Sequence, residues 1–457
     1  MKKNLIGILS LSAIVLLSQS CKKELSADVM ATAPAEEAIV IYIAPDTANA
    51  QPGHYFVTFK ESFKKPFAQV FNGDKTVRGA RQSAADTYGR EAQTAILGQL
   101  RNADGSMIVS QQSISAFVSN VVVGFDAVLT TDAVKKLVAN PNVKYVEFQT
   151  EEFTDEDVTS TTASTFAPPP PPPGQTVDAL RQQIGFKNGY QQSLTNTIWI
   201  IDGGCDMDHP DLRVYTPWAR CFSDANTVED STGHGTKVAG VLAAIDNGFG
   251  TRGVAAGAYI VPIRIKNKDE SASASNFVKA LDYVWINSIT NDVVNLSQGF
   301  SAKTTGIAAM EDAIKNYAGY DTWFALSAGN NRGYASLRSP ARMSSPNYPY
   351  AETLKFITCV SSYGSAYKFS AVFPGGDPKS GSNYGVAVDY ASAGENIYST
   401  YLNGGYTPYP VHGTSYATPI VAGILFLNKG VIYYNKKYVT GDVDGNPDKV
   451  AALNYQF

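Results

Sequence analysis

A serine stands at position 415 within His412-Gly413-Thr414-Ser415-Tyr416-Ala417-Thr418-Pro419, directly ahead of the apolar run 420–427. That placement puts a hydroxyl on the first turn of a buried helix. Unpaired N–H groups and the positive end of the helix dipole can stabilise a developing oxyanion there. Gly413 lets the backbone approach a substrate closely. Pro419, read as part of the same first turn, needs no N–H. A Ser/Thr-rich cap on an ordinary core helix would look alike, so the serine gains meaning only from partners elsewhere.

Three partners are present. Asp202, in Ile200-Ile201-Asp202-Gly203-Gly204, is a carboxylate just past a buried strand, followed by glycines that turn the chain. The plain alternative is a helix-capping Asp. His234 lies between Gly233 and Gly235 at a helix start, and the chain has only four histidines. Its alternative is a surface cap. Asn330 closes Ser327-Ala328-Gly329-Asn330 at the end of an apolar run. This set suffices for acyl transfer. Ser415 would attack a carbonyl, His234 would take its proton, and Asp202 would orient the imidazole. The Asn330 amide and the Ser415 N–H would hold the oxyanion.

Such residues need a scaffold that delivers them to one edge. From about residue 174, apolar runs at 197–201, 258–265, 293–296, 323–327 and 356–360 alternate with helical stretches at 236–245, 275–286, 306–317 and 418–433. The alternation predicts an α/β fold with a parallel sheet flanked by helices, which binds ligands at the carboxyl ends of its strands. An earlier unit reads as strand 54–60, helix 84–100, strands 114–119 and 121–129, helix 131–138 and strand 143–148. That order makes a small α+β domain, with Thr130 or Thr131 capping its second helix. Domains are therefore placed at 53–153 and 175–457. A Ser/Thr/Asp-rich and proline linker joins them over 154–174, its Pro168 to Pro173 run being extended polyproline II, a stiff spacer. Residues 21–52, rich in Ala, Asp, Glu and Thr, read as a tether, and 430–457 carry no functional signal.

The chain of 457 residues exceeds one typical domain, and 44% hydrophobic with 17% charged residues describes a globular protein. A net charge of −4 without a basic stripe argues against nucleic-acid binding. Lys2 and Lys3, the apolar run 5–17 and a short polar stretch to Cys21 read as an export signal over 1–20, too short to span a bilayer. Its "LLSQSC" ending resembles a bacterial lipoprotein signal, which makes Cys21 the acylated first residue and the only membrane contact. A plain secretory signal is the alternative, since Gln19 and Ser20 stand where smaller residues are usual. Cys205, Cys221 and Cys359 then remain, an odd number for an oxidising compartment. Cys205 and Cys221 are near enough in sequence to pair, which sequence does not establish. No pair has metal-ligand spacing.

Residues 175–430 resemble the subtilisin family of serine endopeptidases. The motifs "IIDGGCDMDHPDL", "GHGTKVAGVLAA", "GVAAGAYIVPIRI", "VVNLSQG", "SAGN", "SNYGVAVDYASAGENIYST" and "HGTSYATPIVAG" occur in that family's order. The resemblance implies a subtilisin-like sheet flanked by helices, polypeptide substrates, the triad Asp202, His234 and Ser415 in the family's chain order, and Asn330 at the oxyanion. It also implies a substrate cleft walled by Ser297, Gln298, Gly299, Leu326, Ser327, Ala328 and Gly329. Departures exist: Gly203 replaces a usual Ser or Thr, Lys237 a common second histidine, and Gln298 a leucine that often lines the cleft. The last leaves specificity open.

Residues 54–150 resemble the family's inhibitory propeptide, most strongly in "NVVVGFDAVLTTDAVKKLVANPNVKYVEFQ". That implies an intramolecular inhibitor, cut away between about residues 149 and 175. Asp211 and the loop 245–251 match the family's calcium loop in length and glycine placement. The implied ligands are the side chains of Asp211 and Asn247 and the carbonyls of Ile245, Phe249 and Thr251, with Gln175 as a weaker addition. An all-oxygen set suits Ca²⁺ better than zinc or magnesium. A glycine-rich surface loop is the alternative. Two other function classes stay open. A binding module on this fold would be signalled by a missing triad residue, and all are present. A serine esterase would carry a G-x-S-x-G elbow, whereas this serine lies in "GTSYATP".

Overall fold

The computed structural model describes residues 40–42, 53–149, 152–153, 195–301, 307–317, 319–320 and 322–453. The expected export signal, Cys21, the proline run and Gln175 lie outside the described residues.

Six parallel strands form the centre of a ten-stranded sheet, in the order Tyr390–Ala393, Ile357–Tyr363, Trp323–Ser327, Val293–Leu296, Ile198–Asp202 and Tyr259–Arg264. Their sequences run apolar because both faces are covered, and alternate residues divide between two cores. Ile198, Ile200, Val293 and Ala325 face the helices His234–Ala243 and Thr414–Leu427. Trp199, Ile201, Val294 and Phe324 face the helices Ala274–Asn287 and Ile307–Lys315. The chain leaves Ile198–Asp202 for Tyr259–Arg264 on one side, then crosses back to Val293–Leu296 on the other. A crevice opens at such a reversal, at the carboxyl ends of the two central strands. Asp202 and Ser297 sit at those two ends.

The sheet is finished by pieces that the sequence reading left out. Lys449–Ala452 pairs with Tyr390–Ala393, and Tyr433–Tyr438 pairs antiparallel with Lys449–Ala452. Within 430–457, these two strands thus complete one edge, while Arg213–Val214 and Arg220–Cys221 complete the other. The helix expected at 418–433 runs instead over Thr414–Leu427. A Cβ on Gly430 would stand 2.0 Å from Trp323 Cε2, and Gly430 has φ 88°, so the chain turns away there. Pro419 consequently falls in the second turn, not the first, and cannot donate to the Ser415 carbonyl. The Ser297 hydroxyl donates to that carbonyl instead, at 2.9 Å.

In the N-terminal unit the antiparallel strands Val143–Phe148, Gly53–Phe59, Gly124–Leu129 and Ile114–Val118 lie side by side beneath the helices Gln82–Gln99 and Thr131–Val138. Thr130 caps the latter, its hydroxyl accepting from Ala133 N at 3.2 Å. Val40–Tyr42, in the stretch expected as tether, pairs parallel with residues 145–147. The unit rests on the helices Ala274–Asn287 and Ile307–Lys315. Asp282 accepts from Asn120 N (2.8 Å) and Val121 N (3.0 Å), and Glu147 from Ala308 N (3.0 Å) and Ala309 N (3.1 Å). Arg78 forks onto buried Asp292 at 2.9 and 3.0 Å. Beyond this unit Glu152–Phe153 pairs antiparallel with Ser271–Ala272.

Candidate active site

Asp202 is the last residue of its strand and fully buried. Its Oδ1 accepts from His234 Nδ1 at 2.8 Å, Gly203 N at 2.6 Å and Gln298 Nε2 at 2.9 Å. Burial alone would push the carboxyl up. The charge and hydrogen bond of His234, the Lys266 ammonium and the Gly203 N–H outweigh it and hold the group below the usual carboxylate range.

His234 opens its helix, two residues before the apolar spacing predicts. The start is set by Gly233, whose φ of 83° suits glycine. Gly235 is required as well, since a Cβ there would meet Gly204 O at 2.1 Å. Gly235 thus lets the helix end press against the turn after Asp202, which brings the imidazole onto the carboxylate. Because a carboxylate only accepts, the neutral ring carries its proton on Nδ1, and Nε2 is the basic nitrogen.

Ser415 is buried on the first turn of Thr414–Leu427. It is tied to the strand end by a reciprocal pair: its Oγ donates to Ser297 O at 3.0 Å, and Ser297 Oγ donates to Ser415 O at 2.9 Å. The neighbouring Tyr416 ring lies 6.1 Å from the His234 ring, centroid to centroid. Asn330 Oδ1 accepts from both Thr414 N (2.9 Å) and Thr414 Oγ1 (2.8 Å). A backbone N–H can only donate, so it fixes which end of the amide faces Thr414. Asn330 Nδ2 is left buried with no partner among the described residues. Gly413 keeps the space beside it open, for a Cβ there would lie 3.4 Å from Nδ2. A buried NH₂ without an acceptor, next to the first-turn N–H of Ser415, is suited to a transient anion.

The expected cleft residues divide. Ser297 binds Ser415, the Gly299 carbonyl accepts from Arg338 Nη2 at 2.7 Å, and Gly329 N donates to Thr414 Oγ1 at 3.3 Å. Ser327 is buried at the end of its strand. The Gln298 side chain turns inward to Asp202. Leu326 is a core residue, packed on the face of the sheet that carries Trp199 and Phe324. Ala328 packs with Ala335, Ala341, Cys359 and Ala387. Sequence reasoning missed Thr414 and Lys266 altogether. The available signal was a hydroxyl residue directly before the nucleophile and a buried lysine following an apolar strand.

The calcium residues are close together but arranged as a hydrogen-bonded knot. Asn247 Nδ2 donates to Asp211 Oδ1 at 2.8 Å, while Tyr406 OH (3.1 Å) and Thr251 N (3.4 Å) donate to Oδ2. The Asn247 oxygen accepts from Phe249 N at 3.2 Å, and Ile245 contributes its N–H to Asp211 O at 3.0 Å. A cation needs acceptors turned inward, whereas Asp211 is met by donors. The Tyr406 hydroxyl also fills the hollow over Gly250, 2.1 Å from where a Cβ would stand. No cluster of three or more His, Cys, Asp or Glu suited to a metal exists among the described residues. This set does not fit a calcium shell. Burial pushes the Asp211 carboxyl up to about 6, against the pull of its donors.

Cys205, Cys221 and Cys359 are free thiols. Among the described residues no helix is long and apolar enough to cross a membrane.

The chain is similar to known proteins over much of its length. Residues 195–436 match the sequence profile of the subtilase family. The thermostable alkaline protease of Halalkalibacterium halodurans is 29% identical over 303 residues, 66% of this chain and 71% of the relative. Subtilisin NAT of Bacillus subtilis subsp. natto is 30% identical over 311 residues, 68% of this chain and 71% of the relative. A crystal structure of a cold-adapted subtilisin-like serine proteinase aligns with 27% identity and a TM-score of 0.43, covering 57% of this chain and 89% of that one.

Proposed function

The chain belongs to the subtilase family of serine endopeptidases, and we propose that it cuts peptide bonds through an acyl-enzyme on Ser415 and is made as a zymogen. The observation that carries this reading is the Asp202–His234 hydrogen bond of 2.8 Å beside a serine whose helix end offers the unpartnered Asn330 Nδ2. The Ser415 hydroxyl turns from Ser297 O to His234 Nε2 and loses its proton there as Oγ bonds to the scissile carbon. The carbonyl oxygen becomes the anion held by Asn330 Nδ2 and Ser415 N. Collapse breaks the C–N bond, and the imidazolium gives its proton to the departing amine. Water then enters by the same route in reverse, with His234 again the base, and frees the acid.

Residues 53–149 act as the inhibitor in this reading. The antiparallel pairing of Glu152–Phe153 with Ser271–Ala272, a ladder of these two short strands alone, supports it, because an extended substrate can bind by backbone pairing with an exposed segment. The protein is exported, with Cys21 its lipid anchor. The test is intact mass and N-terminal sequencing of wild type beside Ser415→Ala, with a casein and peptide panel. Loss of the serine should cost about 10⁶-fold in turnover. Cleavage between the two domains in the wild type alone supports the reading. Full-length protein in both, with no hydrolysis, ends it.

A further inference from the structure

Asp202 is held from a side that proton transfer does not use. Three donors meet at its Oδ1: His234 Nδ1, Gly203 N and Gln298 Nε2. The Gly203 N–H is covalently next to the carboxylate and moves with it. Gln298 comes from another strand end, one residue after the Ser297 that binds Ser415. The geometry points to Gln298 as a positioning residue of the triad, whose amide keeps the Asp202 carboxylate turned toward His234 and in register with Ser415. The assignment rests on the peptidase reading above.

The amide makes this contact at a cost. Gln298 is buried, and its Oε1 has no partner among the described residues. An apolar side chain of equal size would fill the space without a buried orphan oxygen, so space-filling does not explain an amide. Residue 203 offers no substitute, being glycine. Around the position its Cβ would take lie Lys266 Cδ at 3.2 Å, Glu270 Oε2 at 3.6 Å and Asp230 Oδ1 at 3.9 Å. The charged groups facing this corner are therefore His234, Lys266, Glu270 and Asp230, and Gln298 is the neutral donor among them. An N–H given to a carboxylate favours its ionised form and draws off part of the charge that the imidazolium would otherwise feel. Without the donor, His234 should hold its proton more tightly and the carboxylate should lose one of two restraints on its rotation.

The test uses the autoprocessed protein and two substitutions. Gln298→Met keeps length and packing but cannot donate. Gln298→Glu keeps the shape and can donate only while protonated. Competent sites are counted with a serine-directed fluorophosphonate, and kcat, KM and pH profiles are measured on one peptide substrate. Gln298→Met should lower kcat by about 10-fold, the loss expected for one hydrogen bond to a charged group, with KM within about twofold. Its acid limb should move to higher pH. Gln298→Glu should acquire an alkaline limb that the wild type lacks, as ionisation sets a second carboxylate against Asp202. Gln298→Met with wild-type kcat and an unmoved profile overturns the assignment. Should Gln298→Met not fold, the Gln298→Glu profile decides alone, and absence of the new limb overturns it. A wild type without Ser415-dependent hydrolysis overturns the peptidase reading instead, so the two failures are distinct.

Discussion

Replacing Glu147 by Gln should flatten the pH dependence of domain docking. Glu147 is fully buried at the start of the helix Ile307–Lys315, where Ala308 N and Ala309 N donate to it. Burial lifts its carboxyl from 4.5 to about 7 against those two donors, with Asp312 and Glu311 adding repulsion. An acid whose pKa is higher docked than free takes up a proton on docking. The docked state is then most favoured below pH 4.5 and loses that advantage as the pH rises through about 7. From 4.5 to about 7 is a difference of about 2.5, and at about 1.4 kcal/mol per pH unit the loss is about 3 kcal/mol. Asp282, raised to about 6 chiefly by burial, adds a loss of the same sign. Trp285 reports the event, since its ring lies 5.5 Å from Phe67 and 6.0 Å from Phe71 of the N-terminal unit. Urea undocking of full-length Ser415→Ala protein, followed by tryptophan fluorescence, should show a midpoint that falls between pH 5 and 8. Glu147→Gln should remove more than half of that slope. An equal slope in both proteins refutes the reasoning.

Further outcomes follow from single contacts. Arg78→Met takes the cation from buried Asp292, which keeps the N–H donors of Thr197, Trp199 and Ile289, and should cost about 1–3 kcal/mol in the same urea assay. Thr414→Val removes one of two hydrogen bonds that aim Asn330 and leaves Gly329 N without its acceptor. It should lower kcat by about 5- to 10-fold with KM nearly unchanged, read from steady-state kinetics. With Asp211 already met by Asn247, Thr251 and Tyr406, EGTA should leave the melting temperature unmoved. Tyr406→Phe should lower stability by about 1–2 kcal/mol through the lost hydroxyl.

The four site residues were legible because each stands at an element boundary marked by glycine. Gly203-Gly204, Gly233 and Gly235, and Gly413 signal sharp turns and close backbone approach, and a sharp turn at a strand's carboxyl end is where an α/β sheet exposes chemistry. Boundaries themselves were less legible. Apolar periodicity begins at residue 418, but the helix begins at Thr414 because the Ser297 and Asn330 contacts bury a polar first turn. The strand Tyr433–Tyr438 escaped because a polar edge strand owes its place to backbone pairing, and Lys449–Ala452 because its buried apolar run is too short to read. The inward side chains of Gln298 and Leu326 were illegible for one reason. Motif order is a fact of sequence, whereas the direction of a side chain is decided by what packs around it. The calcium loop kept its spacing, yet a distant residue, Tyr406, lies over Gly250 and donates to Asp211.

The short segment Ser297-Gln298 joins both ends of the site. Ser297 exchanges two hydrogen bonds with Ser415, and Gln298 donates to Asp202. The Ser415 carbonyl depends on this segment because Pro419 supplies no N–H four residues on. Ser297→Ala should therefore leave a buried carbonyl unpaired at a cost of about 1–3 kcal/mol. Pro419→Ala alone restores the helical N–H and should leave the Ser297 hydroxyl competing for an acceptor already taken. In the double substitution the helix bond replaces the serine, so the two effects should not add, and the cycle should return about 1 kcal/mol or more of coupling. Additive losses would mean that Ser297 holds Ser415 through packing, and that the proline is unrelated to the pair.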